Sequence, residues 1–260
     1  MPDQTPKFGS SDGVAAAGHS LRAAQWTLNL YPDAAEAGGC LVVPRARIPR
    51  GGRSDPERVE AEAIRRARAK VRRYAVANRL NRLGTLTYAG EGCHDPRQLR
   101  EDVGSFFKSL RPGLGGEAFP YLWLAEWHPG GHGLHAHFAV GRYVAQPLIR
   151  ATWGRGHVHI KLLGDLPVGS GTLAEARLGA RYMCKYVGKG LDDERRQAGQ
   201  HRYEVAQGFQ PGRITVYGRS DDEAIARASG YLGRQPEFVW RSRDSEGWRG
   251  PPACWAAWPE

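Results

Sequence analysis

The sequence predicts an α+β protein in which helices pack on a central antiparallel sheet. Three observations carry this. Strand-like and helix-like segments alternate between residues 83 and 191. Two strand-like runs flank the turn-forming Pro129-Gly130-Gly131, as in a β-hairpin. Hydrophobic residues make up 41% and charged residues 25% of 260 positions, ordinary globular usage that argues against wholesale disorder.

The elements follow in chain order. Residues 1–53 read as a partly flexible N-terminal arm, with a loose polar stretch over 1–25 and an Ala- and Gly-containing stretch at 34–39. Within this arm, WTLNLY from Trp26 is a possible short strand. Residues 54–82 carry a basic helix. Ser54 can cap it, Pro56 suits its first turn, and Asp55 and Glu57 complement its dipole. It should run to about Asn78, with Ile64, Ala67, Val71 and Tyr74 as a narrow apolar stripe. A mixed core spans 83–191. Leu83–Tyr88 is a strand, Asp95–Leu110 a helix, and Tyr121–His128 and Leu134–Arg142 a hairpin. Pro147–Trp153 is a short helix, His157–Leu163 a strand, and Leu173–Lys189 a helix stopped by Gly188 and Gly190. That order is ferredoxin-like in outline. Residues 192–260 form a Trp-rich extension with no assigned role, helical over Asp221–Leu232.

Composition limits the function. No apolar run approaches the roughly 18 residues of a membrane span, and the first residues lack a secretory signal pattern. Cys40, Cys93, Cys184 and Cys254 lie 53, 91 and 70 residues apart, which disfavours both a zinc pair and a disulfide framework. A reduced, cytoplasmic protein with no membrane partner is expected. Lys plus Arg exceeds Asp plus Glu by 37 to 27. Between Arg45 and Arg82 there are 13 basic and 4 acidic residues, net +9, so one stretch holds nearly all of the net +10. Such a concentration suits a polyanion, although a solvated basic helix would look the same. Arg65, Arg66, Arg72 and Arg73 are its candidate phosphate contacts.

Two constellations carry chemistry. In His135-Ala136-His137 the period of two projects both imidazoles from one strand face. Glu126, on the partner strand, can complete an N,N,O set for a divalent cation if the register allows. The bland alternative is a pair of polar residues on a solvated face. A second pair, His157-Val158-His159, lacks a nearby carboxylate and is the less favoured site, while His128 and His132 sit nearer the turn and read as exposed bystanders. On the helix Arg181–Lys189, positions Tyr182, Lys185, Tyr186 and Lys189 share one face. They are either packed tyrosines with snorkelling lysines or a phenolic nucleophile beside cations. Cys184 has no histidine partner in sequence and reads as packed.

Strand LGTLTY, hairpin AEWHPGGHGLHAHFAVG and helix RYMCKYVGK, in that order, resemble the three motifs of HUH endonucleases, specifically the rolling-circle replication initiators of phages and plasmids. The resemblance covers about residues 79–191 and excludes the basic helix and the tail. It implies the HUH fold, with a sheet of about five antiparallel strands. It implies Mg²⁺ or Mn²⁺ held by His135, His137 and Glu126, polarising a scissile phosphate. Tyr182 matches the tyrosine of YxxK and Tyr186 the second tyrosine of the two-tyrosine type, leaving open which attacks first. Lys185 would touch the phosphate or the metal environment, with Lys189 as a further DNA contact. The implied product is a 5′-phosphotyrosine and a free 3′-hydroxyl on single-stranded origin DNA. No GxxxxGK[ST] motif occurs, so a separate helicase is expected beside a DNA polymerase. Rival readings are a relaxase, a single-strand transposase, or a non-catalytic single-strand-binding module.

Overall fold

The structure, a computed structural model, describes residues 23–44, 56–161, 172–187 and 203–260. The expected cap at Ser54, the helix stop at Gly188 and Gly190, Lys189, and residues 1–22 of the arm lie outside the described residues.

The expected α+β architecture contains two antiparallel five-stranded sheets, one more than the sequence suggested. The first uses β3 (Arg82–Tyr88), β4 (Tyr121–Trp127), β5 (Leu134–Val140), β6 (Gly156–Lys161) and the short β7 (Glu204–Val205), in the order β6-β3-β5-β4-β7. β4 and β5 are the hairpin across Pro129-Gly130-Gly131. Strand alternation divides this sheet into two faces. Leu86, Trp123, Ala136, Phe138 and Val158 pack with α2 (Pro96–Leu110) and α3 (Gln146–Trp153) in one core. That core includes Leu99, Val103, Phe106, Phe107, Ile149 and Trp153. α2 starts where Asp95 accepts a hydrogen bond from the Arg97 amide. Gly84 lies opposite Phe138, where an added Cβ would meet the phenyl ring at 2.4 Å.

The opposite face bears Leu83, Leu122, Leu124 and Ala139, which join α1 (Pro56–Ala77) and α4 (Leu173–Val187) in a second core. Ala67, Val71 and Tyr74 of the expected stripe are buried there, with Ala180, Met183 and Val187 of α4. Ile64 is only half-buried.

The second sheet, in the order β8-β1-β2-β10-β9, joins the two ends of the chain. β1 (Gln25–Tyr31) and β2 (Glu36–Val42) pair with β8 (Ile214–Gly218), β9 (Phe238–Arg241) and β10 (Ala253–Ala257). The stretch 34–39, read as flexible, instead turns and enters β2 at the sheet's centre. Its glycines have a structural reason: a Cβ at Gly39 would fall 1.9 Å from the Thr27 carbonyl oxygen. α5 (Asp221–Leu232) lies where expected and contributes Ala224, Ile225 and Ala228 to the shared core.

α1 is tied to this sheet by charge. Glu36 is 3% exposed and receives Arg72 Nε at 2.7 Å and Arg73 Nε at 2.8 Å. Arg72 also lies over the Trp255 ring at 4.8 Å, and Arg73 over Tyr31 at 4.4 Å. Replacing both arginines by Gln leaves a buried carboxylate uncompensated and should cost about 3 kcal/mol in urea unfolding. Adding Glu36→Gln should recover part of that loss. The exposed pair Arg65→Gln and Arg66→Gln should change stability by no more than about 0.5 kcal/mol.

Candidate functional site

β5 is buried along its whole length, so its two histidines need polar partners. The register supplies them. Glu126 of β4 stands opposite His135, and one carboxylate oxygen, Oε2, meets His135 Nε2 at 3.0 Å and His137 Nε2 at 2.6 Å. The ligand atoms of Glu126, His135 and His137 all lie within 4.8 Å of one another. Among the described residues this is the one such group of three potential metal ligands. Two imidazole nitrogens and a carboxylate oxygen, this close together, suit one divalent cation. Thr85 of β3 meets the other ring nitrogen, His137 Nδ1, at 3.0 Å and fixes how the ring presents Nε2.

α4 brings its tyrosines against this group. The Tyr186 ring stacks on His137, with centroids 3.8 Å apart and planes 24° apart. Its hydroxyl donates to the Tyr182 hydroxyl at 2.6 Å. Burial pushes the Tyr186 phenol well above the usual range, and the bond to Tyr182 acts in the same direction. Tyr186 therefore holds its proton. Two ammonium groups lie near the Tyr182 ring: Lys185 Nζ at 5.9 Å and Lys161 Nζ at 5.7 Å from its centroid. Lys161 was missed in the sequence. The signal was available, because His157, His159 and Lys161 alternate along one strand.

Cys184 points elsewhere on α4. Its Sγ donates to the Arg68 carbonyl of α1 at 3.4 Å, and burial pushes the thiol up to about 11. It is a packed thiol rather than a nucleophile.

His157 and His159 lie on the edge strand β6, opposite Thr87 and Thr85. They share the face of His135 and His137 but stand beyond the intervening strand β3, exposed. His132 is exposed, as expected, and its Nε2 lies 3.2 Å from the Tyr88 carbonyl oxygen. His128 is closer to the site than expected. It is half-buried, with its ring 5.6 Å from that of His135.

The candidate phosphate contacts occupy two settings. Arg72 and Arg73 grip Glu36, whereas Arg65 and Arg66 are exposed. Arg65 lies over the Trp248 ring at 4.7 Å, and Arg66 reaches Glu62 at 4.0 Å. Among the described residues, no helix is long and apolar enough to cross a membrane.

Residues 81–191 match the model of the family Replication-associated protein ORF2/G2P. That match is consistent with a rolling-circle replication initiator of the HUH type. It runs from β3 through α4 and includes the triad and both tyrosines. No curated protein and no solved structure matches the chain.

Metal binding by the triad is directly measurable. Mn²⁺ at 100 times its dissociation constant should stabilise the protein by roughly 2.7 kcal/mol. In His135→Ala/His137→Ala, the metal-dependent rise in unfolding temperature should vanish. An undiminished rise would move the metal away from these side chains.

Proposed function

We propose that the protein initiates rolling-circle replication by nicking single-stranded origin DNA through tyrosine attack. One observation carries this reading: the stacking of Tyr186 on His137 sets a pair of phenols directly beside an N,N,O metal triad. A divalent cation, Mg²⁺ or Mn²⁺, held by His135, His137 and Glu126 would supply Lewis-acid polarisation of the scissile phosphate.

The chain's own residues supply the rest. Tyr182 is the first nucleophile. Its phenolic oxygen bonds to phosphorus, its proton is lost, and the bond from phosphorus to the 3′ oxygen breaks. The products are a 5′-phosphotyrosine and a departing 3′ oxygen, which takes up one proton, equivalent to the one the phenol loses, and becomes the free 3′-hydroxyl. Two features favour Tyr182 over Tyr186. The Tyr186 hydroxyl donates a hydrogen bond to the Tyr182 oxygen, which stabilises charge there. Lys161 and Lys185 set two positive charges near the Tyr182 ring, where they can balance an entering phosphate. Tyr186, packed on His137, orients Tyr182 and is the acceptor for a second transfer. Arg65, Arg66 and Lys189 hold the flanking phosphates. Strand unwinding and synthesis fall to a separate helicase and a DNA polymerase.

Substitution by Phe removes the hydroxyl and keeps the ring, so chemistry separates from packing. With single-stranded origin DNA and Mn²⁺, the parent should form a protein–DNA adduct visible on a denaturing gel. Tyr182→Phe should form none, and Tyr186→Phe should cleave but lose the coupled second transfer. Mass spectrometry should place the adduct on Tyr182. An adduct on neither tyrosine, or full cleavage by the double variant, would defeat the covalent mechanism and favour a non-catalytic binding module.

A further inference from the structure

The second sheet and α1 enclose a cleft of about 880 Å³ whose lining includes Arg65 and Arg66, proposed above to hold flanking phosphates, but none of the triad and neither tyrosine. That volume lies within the ~300–1,000 Å³ range of ligand pockets. Three indoles, Trp240, Trp248 and Trp255, form one side, and α1 supplies the cations of Arg65, Arg66, Arg68 and Lys70 on the other. All four cationic residues are exposed. We propose that this cleft takes unpaired bases of single-stranded DNA, stacking them on its tryptophans while α1 holds the adjoining phosphates.

The construction of the cleft supports this occupant. Trp255 and Trp240 face each other across the β10–β9 pair, and Gly38 stands opposite Trp255 on the adjoining strand β2. A Cβ at Gly38 would lie 3.2 Å from Trp255 Cδ1, so glycine leaves this row low beside the indole. Trp248 packs edge-on to Trp240, with centroids 5.1 Å apart. It carries the Arg65 guanidinium over its ring at 4.7 Å. Aromatic faces interleaved with cations are the combination that holds single strands independently of sequence. A duplex keeps its bases stacked internally and cannot use the indoles. Glu62 is the one acid on this lining, set against the four exposed cations, while Arg72 and Arg73, also on the lining, are paired with Glu36.

The cleft and the triad share a structural neighbour. α4 presents Tyr182 and Tyr186 to the triad while Cys184 contacts Arg68 of α1, whose side chain lines the cleft. A single strand held in the cleft is therefore anchored on the helix that abuts the tyrosine-bearing helix.

The test uses the full chain as Tyr182→Phe/Tyr186→Phe in EDTA, so that binding is read without cleavage. A short fluorescein-labelled poly(dT) should quench tryptophan fluorescence and bind more tightly than a duplex of equal length. Trp248→Leu should weaken poly(dT) binding roughly 5- to 150-fold. Trp248→Phe, which keeps an aromatic face, should restore most of it. Arg65→Gln/Arg68→Gln should flatten the plot of log affinity against log salt by about 0.7 for each phosphate that is no longer neutralised. Parental affinity in Trp248→Leu, equal binding of duplex and single strand, or a Phe variant as weak as the Leu variant would each overturn the proposal. A failure of the parent to nick DNA would sink the endonuclease reading and leave this one standing.

Discussion

The two imidazoles on β5 constrain much of what surrounds them. A strand buried on both faces tolerates polar side chains only where each finds a partner, since an unpaired buried polar group costs roughly 1–3 kcal/mol. His135 and His137 meet that condition through three neighbouring elements. β4 must pair in the register that puts Glu126 opposite His135. β3 must pair so that Thr85 stands beside His137. α4 must dock so that the Tyr186 ring covers the His137 imidazole. A one-residue slip of either strand would turn its side chains to the other face and break these contacts. The arrangement needed to bury the histidines is the arrangement that assembles the candidate metal ligands.

The concentration of positive charge is likewise more than one thing. Along α1 the arginines divide by the surface they meet. Arg72 and Arg73, toward the end of the helix, converge on the buried Glu36 and on aromatic rings of the second sheet. Their charge holds two parts of the chain together. Arg65, Arg66, Arg68 and Lys70 remain exposed along the cleft. Counting charge along the sequence cannot separate these groups, because the separation depends on Glu36, a residue distant in sequence.

What was legible in the sequence was local. α5 is read from Asp221 to Leu232 because its acidic first turn and apolar spacing are short-range signals, and the Ser220 side chain caps it. The hairpin and the His-Ala-His alternation are equally local, and they gave the triad its residues. The second sheet was not legible. β2 reads EAGGCLV, with little β-branched content, and its glycines suggest flexibility until Thr27 is seen to pass within contact of Gly39. β10 pairs with β2 across more than two hundred positions, a distance over which periodicity carries no information. The crowding of tryptophans near the C-terminus was visible, but not its division. Trp258 is fully buried and donates to Ser229, whereas Trp240, Trp248 and Trp255 face the cleft.

α4 connects these features because a helix presents several directions at once. Ala180, Met183 and Val187 face the shared core, and all three are at most 2% exposed. Tyr182 and Tyr186, four positions apart, lie on a second side and meet His137, Lys161 and each other. Cys184 lies on a third and contacts α1. The phenols are therefore mounted on a helix whose other sides are fixed by packing, and they face ligands on a strand with no exposed residues. Groups held on packed helices and strands keep their spacing better than groups on loops, and phosphoryl chemistry depends on spacing. The same packing makes the core beneath α4 part of the candidate site: its apolar residues set how far Tyr182 stands from Glu126.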